Sequence, residues 1–534
     1  MVLGIGSAHG QQTAIPYVLE ELIDDTPEVY RKELSHIYHD RQYDPLWLSP
    51  SQQLNAEGQT LLQVLTGAEQ LGLNPTDYDS SELQWLQRTN QLFSEDRPVF
   101  RTNVLARLEV VLSKNLLKIL DHVTSGRLSP GPINEKWYLQ NERPLLTEIV
   151  TQVLASGILT TLESLAGAHE GYQPLLHMLE QYLTIQAKGG WPAIAEGPLL
   201  LKGANSSRVN VLRKRLAATG DIKEGAIIPK FDQEVQEGVE KFQARHGLSV
   251  DGIVGPRTLH TLNIPVESRI EQMLVNLERR RWMPQTLGSD YIQVNIPDFQ
   301  LMAYRNGILQ LEMPVIVGKP MSQTPIFSDT LEYMVFNPYW NVPMSIVQDE
   351  IFPKFQKDPT YLAERKFEVV DMDEQPMKFA HLTSENLQAG TIRIRQKPGP
   401  DNALGLVKFM FPNDHAIYLH DTPAEHLFDA SERDFSHGCI RVERPTDLAA
   451  FLLNNQWSRE DIVHALESSE RRVLNLPQAM PVYILYFTVW VDEDGKLQFR
   501  DDPYGHDDQL WAALRPVLSS AKPPTSLFRQ NSAG

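Results

Sequence analysis

The chain holds a single cysteine, and the residues around it are the part of the sequence best suited to covalent chemistry. Cys439 closes the run Ser436-His437-Gly438-Cys439 and is followed by Ile440 and Arg441. A free thiol has a pKa near about 8.5, so a nucleophilic cysteine needs a base or a positive field beside it. His437 lies two residues away, His420 ends the apolar run "AIYLH", and His415 and His426 flank that run at less ordered places. A base on a rigid strand, facing a nucleophile on a following loop, is better oriented than a neighbour two positions off. That selects His420 and leaves His415 and His426 as structural or solvent-exposed. Gly438 has no Cβ, so the backbone can turn sharply there and aim consecutive N–H groups at one point. The amides of Gly438 and Cys439 are therefore the candidate donors to a developing oxyanion. His437 is assigned to holding the loop by hydrogen bonding, and Arg441 to a positive field near the thiolate.

Composition limits what such a site can serve. At 534 residues the chain exceeds one hydrophobic core, and three or four domains are expected. The 42% hydrophobic and 22% charged shares are those of soluble globular protein, and no apolar run is long enough to span a bilayer. A formal net charge of -19 argues against nucleic acid, whose backbone is bound by clustered Lys and Arg. One cysteine excludes an intramolecular disulfide and a four-thiolate zinc site, and no paired His-Glu ligand motif is present. Neither a metal nor a cofactor is expected. The start, "MVLGIGSAHGQQ", lacks the charged and apolar regions of a secretory signal, which was either removed or never there.

Several elements must position the site. Residues 1–16 are expected to be disordered, and 17–190 to form a helical domain with apolar spacings of three and four, as in "NVLARLEVVLSKNLLKIL" and "PLLHMLEQYL". The linker "WPAIAEGPLLLKGANSS" leads to a three-helix unit at 205–264. There Val209, Leu212 and Leu216 share a face, Asp232 is a candidate N-cap, and Pro256 suits a first helical position. Beyond a connecting helix the period changes to that of strands. "YIQVNI", "QLMAY" and "LQLEMPVIV" are β-rich, with a hairpin turn at Asn306-Gly307, and "LVKFMF", "AIYLH" and "PVYILYFTVWV" follow. Between them, 345–403 is polar and poorly patterned, with one short helix candidate at "VQDEIFPKF"; it is taken as an insertion and a lid. This β-domain is placed at 268–500, and 501–534 is taken as a C-terminal tail whose end is disordered.

These residues resemble two known families. "GVEKFQARHGLSVDGIVGPRTLHTLN" is similar to the peptidoglycan-binding domain type 1 repeat. His420, fifteen intervening residues, then Ser436-His437-Gly438-Cys439 with Arg441 resembles the signature of the L,D-transpeptidases with a YkuD-type catalytic domain. "VGKPMSQTP", "NPYWNVPMSI", "PGPDNALGLVKFMFPN" and "IYLHDTP" are similar to the large periplasmic members of that family. The resemblance implies a multidomain α+β fold: a mixed, β-sandwich-like catalytic domain with an inserted lid, a three-helix peptidoglycan-binding domain and a helical scaffold. It further implies a periplasmic enzyme that cross-links peptidoglycan through a Cys439 acyl-enzyme with His420 as base, and acylation by carbapenems. Stem peptides and glycan strands are the implied partners, together with proteins of cell-wall synthesis. Tyr418, two residues before His420 and so on the same strand face, and Trp340 and Ser436 are carried over as substrate-binding.

Other readings of the same residues lead elsewhere. A buried lone cysteine is usually packing, Trp340 is as often core as ligand wall, and a salt bridge suits Arg441 as well as catalytic support. As a whole, the chain is also compatible with a zinc peptidase using His420, His437 and Cys439, which a chelator would inactivate. A catalytically silent wall-binding protein would bind sacculi yet form no carbapenem adduct.

Overall fold

The computed structural model describes residues 14–515 except 27, 93–97, 140–142, 226–227, 455 and 469. Most of the expected disordered N-terminus and the end of the tail therefore lie outside the described residues. Eight α-helices form the first unit: α1 (Ala14–Asp24), α2 (Glu28–His39), α3 (Ala56–Thr66), α4 (Ser80–Leu92), α5 (Pro98–Ser125), α6 (Leu146–Ser156), α7 (Ile158–Ala168) and α8 (Tyr172–Ala187). Helix formation thus begins at 14, inside the stretch 1–16 expected to be disordered. Along α5, Val104, Leu108, Leu112, Leu116 and Leu120 are buried at the spacing of one helical face, and the other helices pack around it.

The second unit has its own apolar core and three helices, α9 (Ser207–Ala218), α10 (Gln233–Arg245) and α11 (Pro256–Leu262). Their ends follow local chemistry: the Asp232 side chain accepts from the Val235 N–H, and Pro256 occupies the first turn of α11. Helix α12 (Val266–Arg281) then runs into the contact between the first unit and the β-domain. Its Arg281 pairs with Glu278 at 2.7 Å and donates to the Leu71 carbonyl at 2.8 Å.

In the β-domain, strands β1 (Tyr291–Asn295), β2 (Gln300–Arg305), β3 (Ile308–Gly318) and β4 (Phe327–Phe336) precede the insertion. The insertion strands are β5 (Trp340–Asn341), β6 (Phe367–Asp371), β7 (Pro376–Met377) and β8 (Ile392–Gln396). Then come β9 (Val407–Met410), β10 (Leu419–His420), β11 (Asp434–Ser436), β12 (Ile440–Val442) and β13 (Arg472–Leu485), with β14 (Val489–Val491) and β15 (Leu497–Phe499) as a separate hairpin. Among the described residues the main sheet has nine strands in the order β11-β3-β12-β10-β9-β4-β13-β1-β2, and β2 also pairs β3, so the ladder closes on itself. It is mixed: β1/β13, β10/β12 and β11/β3 are parallel, and the other pairs antiparallel. The left-handed pair Asn306 and Gly307 makes the β2/β3 turn. Leu301, Val315, Val317, Phe409, Leu419 and Ile440 fill the interior, which leaves the alternate residues of β9, β10 and β12 on the outside.

Two places hold more structure than their sequence pattern shows. The stretch 345–403 is not limited to one short helix: together with residues 340–342 it builds a four-stranded sheet, β5-β8-β6-β7, over a core of Ile346, Val347, Ile351, Leu362, Val369, Ile392 and Ile394. Its strands leave little pattern in the sequence: two have only two residues, "FEVVD" does not alternate, and "IRIRQ" alternates apolar with charged side chains. Nor does the ordered chain stop at 500. Tyr504 and Leu510 are buried in the β-domain core, and a helix spans His506–Leu514. No helix among the described residues is long and apolar enough to cross a membrane.

Candidate active site

Strands β10 and β12 run parallel, with Leu419 opposite Ile440 and His420 opposite Arg441. The Ile440 N–H donates to the Tyr418 carbonyl at 3.1 Å, so Cys439 lies beside Tyr418. Since Leu419 and Ile440 point into the core, alternation puts Tyr418, His420, Cys439 and Arg441 together on the outer face. Cys439 is half-buried. Its thiol faces the Ala416 carbonyl at 3.7 Å, and the Tyr418 backbone N–H and hydroxyl both donate toward the sulfur. Tyr418, carried over as a substrate contact, is thus the sulfur's immediate partner, while His420 stands one row along the same face. The Tyr418 and His420 rings are 5.6 Å apart between centroids.

The tautomer of His420 follows from its own bond. Nδ1 lies 2.6 Å from the Asp421 carbonyl, which can only accept, so Nδ1 carries the hydrogen and Nε2 keeps a free lone pair. Burial, then repulsion by Arg441 and Lys408, lowers the His420 pKa to about 3. Burial likewise raises the Cys439 pKa above the usual thiol range, against the Tyr418 hydrogen bonds and the attraction of Lys408 and Arg441. Both shifts favour a neutral thiol beside a neutral imidazole, so an attack by this sulfur would require its proton to move.

The loop before the sulfur is held from within. Gly438 has φ +116°, a conformation that side chains disfavour. Its N–H donates to Ser436 Oγ at 3.1 Å, and Ser436 Oγ donates to the Cys439 carbonyl at 2.6 Å. Two expectations change accordingly. The Gly438 amide is already engaged and is not an oxyanion donor, whereas the Cys439 N–H has no protein acceptor among the described residues. Ser436, only 2% exposed, serves its own loop rather than substrate. The Gly438 carbonyl accepts from Thr324 Oγ1 at 2.7 Å, and Thr324 Oγ1 also accepts from the Gly318 N–H at 2.9 Å. A Cβ on Gly318 would meet the Ser322 carbonyl at 2.1 Å, so that close approach requires glycine.

The remaining candidates lie elsewhere. His437 turns outward, and its Nε2 meets Glu350 Oε1 of the insertion at 2.8 Å; no contact ties it to the sulfur. Trp340 belongs to the small sheet, where it is packed on Phe367 at 6.1 Å between centroids. His415 stacks near Tyr138 at 4.1 Å and Phe327 at 5.0 Å, in a packing role. Sequence reasoning missed Lys408, which sits opposite His420 on β9 with Nζ 3.7 Å above the Tyr418 ring. Its position in the alternating strand "LVKFMF", on the face shared with His420, was the available signal. It also missed Asn413, whose Oδ1 accepts from the His415 and Ile417 N–H groups at 3.0 and 3.1 Å. That pins the turn in which Ala416, at φ 55°, presents its carbonyl to the thiol.

Comparisons with known proteins agree with this division. Residues 32–179 match the scaffold domain family, 205–262 the family described as "Putative peptidoglycan binding domain", and 289–484 the YkuD L,D-transpeptidase catalytic domain. A Haemophilus influenzae protein described as "Putative L,D-transpeptidase" is 36% identical over 247 residues, 46% of this chain and 50% of that protein. The N-acetylmuramoyl-L-alanine amidase CwlL of Bacillus licheniformis is 38% identical over 63 residues, 12% of this chain and 18% of the amidase. The chain thus spans half or less of the length of these relatives. Among solved structures, an L,D-transpeptidase from Mycobacterium smegmatis aligns at 12% identity over 37% of this chain and 58% of its own, with a TM-score of 0.19. Residues 289–484 are thus similar to the L,D-transpeptidase catalytic domain, and the parts before them to a scaffold domain and to a peptidoglycan-binding domain.

Proposed function

We propose that this protein is an L,D-transpeptidase that joins two meso-diaminopimelate residues of peptidoglycan through a Cys439 acyl-enzyme, outside the cytoplasmic membrane. The supporting observation is the shared outer face of β10 and β12, where the single thiol and an imidazole with a free Nε2 lone pair lie one row apart. As the Cys439 sulfur attacks the carbonyl between diaminopimelate and the terminal D-Ala of a tetrapeptide stem, its proton passes to His420 Nε2 and an S–C bond forms. The tetrahedral oxyanion is met by the Cys439 N–H. The C–N bond then breaks, and D-Ala leaves with the proton from the imidazolium. In the second half the side-chain amine of another stem's diaminopimelate attacks the thioester, gives its proton to His420, and displaces the thiolate, which recovers the proton. Water in place of that amine yields a trimmed tripeptide instead, so the insertion, which reaches His437 through Glu350, serves to shield the thioester.

The activity is tested by incubating purified protein with disaccharide-tetrapeptide and weighing the products. The expected result is a dimer lighter than two monomers by one D-Ala, absent with Cys439→Ala. Product formation unaltered by that substitution would refute the reading.

A further inference from the structure

The outer face of the sheet holds two cations that the mechanism leaves without an anion. Lys408 is opposite His420 on β9, and Arg441 is opposite His420 on β12, so the two flank the imidazole in one row. Both are half-buried, and burial lowers the pKa of each. Charged groups are withdrawn from water at a cost that a counter-charge normally offsets. Neither forms an ion pair among the described residues, and Arg441 Nε is buried with no hydrogen-bond partner. The adjacent acid, Asp421, is committed elsewhere: its oxygens accept from the Leu406 and Thr422 N–H groups at 2.7 Å each. The sulfur supplies at most one negative charge, and only while it is a thiolate, against two fixed positive ones.

We propose that Lys408 and Arg441 form a carboxylate-binding pair beside the nucleophile and there hold a carboxylate of the acyl-donor peptide. The inference rests on the transpeptidase reading for the donor's identity, and on the charge arrangement for the carboxylate. Guanidinium and ammonium together suit a carboxylate, one by its planar fork and the other as a point charge. Beside the scissile bond a donor of the proposed kind offers two: the terminus of the departing D-Ala and the free carboxylate on the diaminopimelate side chain. Either would also offset the repulsion that holds His420 neutral, so that occupancy of the pair favours the imidazolium needed to protonate the leaving amine.

The test is binding of three donors to the Cys439→Ala protein by calorimetry: the unmodified tetrapeptide, its terminal amide, and its diaminopimelate side-chain amide. Amidating the recognised carboxylate is expected to weaken binding by about 10-fold to 100-fold, the range for a hydrogen bond to a charged group. Adding Lys408→Met or Arg441→Met should remove most of that difference, while the charge-keeping Lys408→Arg retains it; which amide suffers identifies the carboxylate. Equal losses for all three donors in every background, or no loss on either amidation, would overturn the pair. Binding is read without chemistry, so a protein that recognises the carboxylate yet makes no dimer when Cys439 is present would sink the transpeptidase reading and leave this one standing.

Discussion

Cys439 keeps its proton at rest because burial outweighs the two cations and the Tyr418 hydrogen bonds, and His420 stays neutral because burial and the same two cations oppose its protonation. The pH dependence follows in sign. An ordinary histidine with a pKa near about 6.5 would give an acid limb there, whereas a base whose value is lowered to about 3 remains able to accept a proton throughout the mildly acidic range. The donor kcat/KM is therefore expected to be flat between about pH 5 and pH 7; a limb near the ordinary histidine value would contradict the burial of His420. Iodoacetamide alkylation should rise with pH through a midpoint above the free-thiol range, and Lys408→Met should move that midpoint higher by removing a cation that favours the thiolate. Gly438→Ala is expected to lower the unfolding free energy by about 1–3 kcal/mol through its positive φ, and to cut activity by re-aiming the Cys439 amide. Thermal unfolding and turnover measured together check this. The rare types at this site, one cysteine and a strand-borne histidine, made the candidate nucleophile and candidate base legible in the sequence. The engaged state of the Gly438 amide was not, since it depends on a hydroxyl folding back from Ser436.

The insertion touches the loop of the site through the hydrogen bond between Glu350 and His437. Glu350 sits in the turn of helix before Phe352–Lys357, meets His437 at 2.8 Å and Lys354 at 3.7 Å, and so ties the small sheet's unit to the loop that carries the sulfur. Partly exposed pairs of this kind are worth about 0–1 kcal/mol. Glu350→Ala is therefore expected to shift the melting temperature little, yet to speed amide hydrogen exchange in 344–357 relative to the barrel strands. Unchanged exchange there would mean that the helix is held by its apolar core alone. A short helix was expected within these residues; the sheet around it was hidden because the charges in "FEVVD" and "IRIRQ" read as solvated chain, whereas Glu368 is buried and paired with Arg395. Lys408 was hidden in the same way. A lysine in a strand usually points to water, and only the register against His420 shows that this one does not stand alone.

The three units meet at defined joints, and one lies next to the sulfur's turn. In the first unit Trp137 is bridged to Ile326 of the β-domain, with the Tyr138 N–H donating to the Ile326 carbonyl at 2.7 Å. Trp137 packs edge-on to Trp282 at 5.0 Å, and Tyr138 lies on His415, next to the Ala416 that faces the thiol. A buried Trp→Ala change costs about 3–5 kcal/mol, so Trp137→Ala should separate the unfolding of the helical unit from that of the β-domain in calorimetry and lower turnover with it. A second joint is made by Arg257, which spans from the three-helix unit to Glu432 at 2.8 Å and Asp501 at 3.1 Å. Domain order and the helical and β character of each part could be read from periodicity. The joints could not, because they pair residues far apart in sequence with no local pattern. All of these parts matter to function only if the sulfur of Cys439 carries an acyl group. The decisive measurement is intact-protein mass spectrometry after brief exposure to the disaccharide-tetrapeptide, which serves as both donor and acceptor. The expected spectrum shows a protein heavier by the mass of the donor less that of one free D-Ala, with the added mass mapped to the peptide containing Cys439 and missing from Cys439→Ala. Dimer formed without any such adduct, or an adduct located on another residue, would contradict the account.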